Sequence, residues 1–148
     1  MKTFTQKISL LAAVLIIVGL AFIAWRKTDQ GRQNNSNAGV GNTTLAEVLL
    51  PKTLSQSAQI GKRAFGAKCV ACHGINAAGH VGVAPPLVHK IYEPSHHGDE
   101  SFQRAASLGV RAHHWSFGDM PAVEGLTRAD VTMIVAYIRE LQRANGIN

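Results

Sequence analysis

The sequence predicts an all-α domain, and three observations lead there. No stretch alternates polar and apolar residues with the two-residue period of a half-buried strand. Two segments, Gln56–Lys68 and Thr127–Arg143, carry the end signals and the three-to-four-residue apolar spacing of helices. Between them sits Cys69-Val70-Ala71-Cys72-His73, the pattern by which a chain attaches a c-type haem covalently. A haem supplies an apolar core around which a few short helices can pack. At 148 residues there is room for one such domain and an N-terminal extension.

The extension comes first. Met1–Lys7 is short and basic, and Ile8–Trp25 is apolar for 18 residues, interrupted only by Ser9. A helix of that length rises about 27 Å, close to the roughly 30 Å hydrocarbon layer of a membrane. A cleaved signal peptide would have a shorter apolar run and small residues at an Ala-x-Ala site. Here the run ends Phe22-Ile23-Ala24-Trp25-Arg26-Lys27, and Trp25 suits an interfacial anchor. Residues 1–27 are therefore expected to be an uncleaved transmembrane signal-anchor, with cleavage as the alternative. Residues 28–44 (TDQGRQNNSNAGVGNTT) are rich in Asn and Gly and read as a flexible linker. Its root-mean-square reach is about 20–25 Å. The folded domain is then 45–148.

The net charge of +6 divides unevenly. Residues 1–44 hold Lys2, Lys7, Arg26, Lys27 and Arg32 against Asp29, net +4; residues 45–148 hold ten bases against eight acids, net +2. The excess flanks the apolar run, so the domain carries no nucleic-acid signal.

Within the domain, Leu45–Leu50 is a short apolar stretch ended by Pro51, a cap on the domain or the start of a short helix. Gln56–Lys68 is a helix capped by Ser55 or Ser57, with Gly61, Ala64, Phe65 and Lys68 along one face. Gly61 lowers helix propensity, which a close backbone approach would explain. Gly74–Gly82 is a loop. Pro85-Pro86 fixes an extended backbone whose carbonyls are free to accept hydrogen bonds. Val88–Tyr92 is expected to form one turn, and Glu93–Gly98 a loop. Asp99–Leu108 reads as a short helix with Asp99 as its cap, Gly109 past its end, and Phe102, Ala105, Ala106 and Leu108 on its buried side. Val110–Pro121 has no periodicity and is a loop. In Thr127–Arg143, Thr127 and Asp130 resemble a capping box, and Val131, Ile134, Val135, Ile138 and Leu141 form an apolar stripe. Arg139 and Arg143 suit the negative end of the helix dipole.

The spacing of the central motif has a chemical reason. Two thiols three positions apart face the same way on one helical turn, so Cys69 and Cys72 can bond the two vinyl groups on one porphyrin edge. The imidazole of His73 then lies under the ring as proximal iron ligand. A zinc site would want a second ligand pair at zinc spacing, and a redox dithiol a βαβ setting. For the second axial position, Met1 lies at the membrane end and Met133 inside the last helix, where a methionine is a core filler. Met120 sits on a loop beside Pro121, free to reach the iron, and is the candidate ligand; His113 or His114 is the alternative.

The domain resembles a class I cytochrome c. Gly61 and Phe65 stand eight and four residues before Cys69, Pro85-x-Leu87 begins twelve residues after His73, Met120-Pro121-Ala122 forms a methionine loop, and Tyr137 stands seventeen residues after Met120. The resemblance spans about residues 55–143. It implies that the helix with Gly61 and Phe65 crosses the last helix near Ile134 and Tyr137. It also implies that the Pro85 carbonyl accepts the His73 Nδ1–H bond. On this reading Cys69, Cys72, Phe65, Pro85, Leu87 and Trp115 contact the haem, and His73 and Met120 ligate its iron.

One stretch departs from the family. Arg111-Ala112-His113-His114-Trp115-Ser116-Phe117-Gly118-Asp119 is bulkier than the small, Gly-rich stretch often found ahead of the methionine. Arg111, the histidines and Trp115 could meet the haem propionates or line the haem edge. His96-His97 lies on another loop, and four histidines on two loops could bind Cu or Zn if the loops meet. Their spacing is not ligand-specific, so the sequence favours solvated imidazoles and a packed Trp.

The resemblance implies an electron carrier and not an enzyme: one covalent haem c, redox partner proteins, and no nucleic acid or small-molecule substrate. Haem attachment in this family occurs outside the bacterial cytoplasm. A single-pass inner-membrane protein with its haem domain in the periplasm is therefore expected. The alternatives are an electron-transfer subunit of a larger oxidase or dehydrogenase, or a haem sensor with a displaceable sixth ligand.

Overall fold

A computed structural model describes residues 44–148. The expected membrane anchor, and all but the last residue of the expected linker, lie outside the described residues. Among the described residues four α-helices follow one another: α1 (Gln56–Lys68), α2 (Val70–His73), α3 (Asp99–Leu108) and α4 (Arg128–Ala144). Two 3₁₀ turns, Ile75–Ala77 and Lys90–Tyr92, punctuate the connections. Among the described residues there is no strand, only the isolated antiparallel bridges His80–Ala84 and Val110–Met120.

The frame is the crossing of α1 and α4. Ser55 caps α1, its Oγ accepting from the Ala58 amide at 3.2 Å. Its buried face is Ala58, Gly61 and Phe65, while Lys68 points outward and donates to the Glu124 carbonyl. A Cβ on Gly61 would stand 1.8 Å from the Met133 carbonyl oxygen, so the helices touch backbone to backbone there. Four residues on, the rings of Phe65 and Tyr137 meet edge to face at 5.8 Å. That geometry adds about 0.5–1.5 kcal/mol beyond burial alone. The capping box of α4 forms as the sequence suggests: Asp130 N–H donates to Thr127 Oγ1, and Thr127 N–H to Asp130 Oδ2. Its buried stripe is Val131, Ile134, Val135, Tyr137, Ile138 and Leu141.

Several sequence expectations change. Arg139 does not serve the helix dipole from the surface; it is buried and 6 % exposed. Its guanidinium donates to Asp99 Oδ1 at 2.8 Å, the Tyr92 and His97 carbonyls at 2.6 and 2.5 Å, and Gln142 Oε1 at 2.6 Å. The Phe102 ring lies 5.0 Å below it. Gln142, fully buried, extends the network to the Leu87 and Tyr92 carbonyls. These bonds hang the 87–99 connection on α4. Asp99 therefore does not cap α3: it is the first helical residue, behind Gly98, and its carboxylate is engaged with Arg139. Leu108 is 77 % exposed, but with Phe102, Ala105 and Ala106 it borders the cavity described below. Leu45–Leu50 forms no helix. It is irregular, with Leu45 and Ala46 amides on the Ala78 carbonyl and Leu49 paired to the Asn145 side chain.

Candidate functional site

The attachment motif ends α1 and forms α2. Cys69 caps α1 with its amide on the Phe65 carbonyl, and the His73 amide returns to the Cys69 carbonyl at 2.9 Å. Cys69 is half-buried and Cys72 exposed. Burial, followed by the neighbouring Cys72, pushes the Cys69 thiol up to about 11. It therefore stays a thiol, and not a thiolate, at neutral pH. The next turn is tight: a Cβ on Gly74 (φ +72°) would meet the Gly79 carbonyl oxygen at 2.4 Å, and the Gly79 amide donates to the His73 carbonyl at 2.7 Å.

That turn brings the proline segment back to the histidine. The Ala77 carbonyl takes the Leu87 amide at 2.9 Å, and His80 pairs with Ala84. Between these anchors the Pro85 carbonyl lies 2.9 Å from His73 Nδ1. A carbonyl accepts only, so Nδ1 carries the proton and Nε2 keeps its lone pair. His73 is 9 % exposed. Burial lowers its pKa, with the Pro85 bond opposing, so the ring is neutral and ready to ligate a metal.

His73 borders a cavity of about 740 Å³, within the range of cofactor pockets. Every predicted site residue lines it: Phe65, Cys69, Cys72, His73, Pro85, Leu87, Trp115 and Met120. Met133 does not; its carbonyl faces Gly61. Met120 is half-buried, and its backbone is doubly tied to Val110, N–H to carbonyl in both directions at 2.9 Å. Asp119 Oδ1 accepts from the Ala112 amide at 2.8 Å and closes the loop between them. Gly109 (φ +75°) permits the close approach, since a Cβ there would sit 2.4 Å from the Met120 carbonyl oxygen.

The donor set fits a haem. Two thiols, a neutral imidazole with a free Nε2 and a thioether all border one largely apolar space. Trp115 supplies an independent sign. Its Nε1–H is buried without a hydrogen-bond partner; the Tyr92 hydroxyl is near enough to feel it but outside bonding geometry. A buried donor is normally satisfied, and a haem carboxylate is an acceptor of the right kind. Residues not singled out from sequence also shape the wall, among them Tyr92, Val110 and Val123. His89 holds the Trp115 ring edge-on at 5.2 Å, and Phe117 stacks against it at 5.8 Å. No local pattern marks these residues, because they come from loops that meet only in the fold. The one sequence cue was Gly109, read as a helix end and not as the seat of the Met120 loop.

The structure brings the two histidine pairs together, while His96, His113 and His114 stay exposed, as the sequence favours. His96 and His97 lie against His113 and His114, with ring centroids 4.3–6.0 Å apart.

Comparison with curated proteins and with solved structures yields no match. The family model for cytochrome c matches residues 58–142, from the first buried residue of α1 to the buried Gln142 of α4. That span encloses the attachment motif and the cavity it opens onto. The chain thus belongs to the cytochrome c family as a class I c-type cytochrome, a haem-based electron-transfer protein that binds haem c covalently.

Proposed function

We propose that this chain is a membrane-tethered monohaem electron carrier with His73 and Met120 as axial ligands. One observation carries the ligation: His73, with Nδ1 already engaged, and Met120 border the same apolar cavity. The bound haem supplies a one-electron Fe(III)/Fe(II) couple. Cys69 and Cys72 hold the group by thioether bonds. The Pro85 carbonyl fixes the tautomer of His73 and raises its basicity. The Met120 thioether, a soft ligand, favours the ferrous state and raises the potential. The Val110–Met120 bridge limits how far that sulfur can move between oxidation states. Apolar side chains exclude water, and Trp115 Nε1–H is available to a haem carboxylate. Electron transfer to a docked redox partner needs no general acid, base or nucleophile. The apolar run 8–25 and the linker 28–44 support a single-pass anchor. Covalent haem supports placing the domain in the periplasm.

Absorption spectra of the oxidised and reduced holoprotein test this. The far-red band of a Met–Fe(III) haem is expected in the wild type, lost in Met120→Ala and kept in His113→Ala and His114→Ala. No CO adduct should form on the reduced wild type at neutral pH. An oxidised spectrum unchanged by Met120→Ala overturns the ligation. A soluble mature protein starting beyond Trp25 overturns the tether.

A further inference from the structure

We infer that His96, His97 and His114, which border the same cavity as His73 and Met120, form a second metal site besides the haem iron, for a late first-row divalent cation: Cu(II) by affinity, Zn(II) by geometry. Their nearest ring nitrogens all lie within 4.8 Å of one another. His96 Nε2 and His114 Nε2 are 3.4 Å apart. A tetrahedral ion bonded to two imidazoles at about 2.0–2.1 Å separates their nitrogens by about 3.3 Å. The two rings are thus already at the spacing the ion would impose. His97 Nδ1 lies 2.7 Å from the Ile91 carbonyl, so Nδ1 donates and Nε2 is left for the metal. This is the carbonyl–imidazole–metal arrangement that orients histidine ligands elsewhere.

The fourth position is open to water; His113 is adjacent but outside the group of nitrogens within 4.8 Å of one another. That ring lies 4.3 Å from His114, and its Nδ1 is committed to the Arg111 carbonyl at 2.8 Å, which leaves Nε2 unused. The positions of the histidines are themselves held. The His97 carbonyl is clamped by Arg139. His113 and His114 ride the loop between Val110 and Met120, whose ends pair with each other and which Asp119 closes. Three imidazoles favour Cu(II) and Zn(II) over Ca(II) and Mg(II), and Cu(II) outranks Zn(II) in intrinsic affinity. A bound ion would staple the 93–98 loop to the methionine loop.

The test is calorimetric titration of the full-length holoprotein with Zn(II) and Cu(II) salts, with electron paramagnetic resonance of the Cu(II) form. One equivalent of each is expected, with imidazole nitrogen hyperfine structure for copper. His96→Ala and His114→Ala should each weaken binding by about 100-fold or more, since even outer-shell partners of metal ligands are worth about 10–100-fold. His80→Ala, on another loop, should change nothing. Both target histidines are exposed, and an unaltered haem spectrum verifies each variant's fold. His96→Gln and His114→Gln serve where an alanine variant loses haem. Uptake of no metal by the wild type, or equal affinity in the His96→Ala/His114→Ala double variant, overturns the site. Because metal uptake is read directly, this result stands apart from whether Met120 ligates iron.

Discussion

Replacing Gly109 with Ala isolates the device that seats the methionine loop. Gly109 has φ +75° and ψ −177°, a region open essentially to glycine, and an alanine held there costs about 1–3 kcal/mol. The new Cβ would also stand 2.4 Å from the Met120 carbonyl oxygen, where ordinary contact begins near 3.4 Å. The carbonyl must therefore retreat by about 1 Å, and its 2.9 Å bond from the Val110 amide cannot survive that shift. Each of the two bridge bonds contributes about 0.5–1.5 kcal/mol. The total loss is about 2–6 kcal/mol, which in a domain of this size lowers the melting temperature by on the order of 10 °C or more. Thermal unfolding of the oxidised holoprotein, followed by circular dichroism and by the far-red band, measures both effects. The band should fade at temperatures where the helices persist. Gly118→Ala is the control: φ is +92°, but nothing lies within 4 Å of its Cβ, so only the backbone strain should register. If Gly109→Ala melted like Gly118→Ala with its band intact, the close approach to Met120 would not be what positions the loop.

Two glycines of α1 should respond in opposite directions. Gly61→Ala forces a Cβ to 1.8 Å from the Met133 carbonyl and should destabilise the protein by several kcal/mol, whereas Gly66→Ala meets nothing within 4 Å and should stabilise it by up to about 1 kcal/mol in chemical denaturation; a loss at Gly66 would refute the packing argument. Arg139→Ala should cost about 3–5 kcal/mol, because it leaves the buried Gln142 Oε1 and the half-buried His97 carbonyl without their donor and the Tyr92 carbonyl with Gln142 alone, while the ion pair with the 71 % exposed Asp99 carboxylate adds little. Asp99→Asn should therefore shift the denaturation midpoint far less than Arg139→Ala, and equal shifts would assign the stability to the ion pair instead.

Much was legible before the fold was in view, wherever the information is local. Cys69, Cys72 and His73 are fixed relative to one another by a single helical turn, so their chemistry can be read from spacing. Ser55, Thr127 and Asp130 cap helices through atoms three residues away. Gly61 stood out because a helix rarely tolerates glycine without a neighbour that requires it. Other features needed the tertiary structure. Arg139 sits at a position along α4 that looks solvated, and only the arrival of the Tyr92 and His97 carbonyls makes burial of its charge tolerable. Asp99, by sequence a cap, is drawn to that same guanidinium instead. Gly109 ends a helix in any reading; its service to Met120 depends on a loop folding back eleven residues later. The histidines show the division most sharply. Two pairs, sixteen residues or more apart, carry no ligand spacing of their own, and metal-binding power appears only when two irregular loops are closed against each other. Covalent attachment is a property of the chain, whereas the cavity and the imidazole cluster beside it arise from contacts that only folding makes.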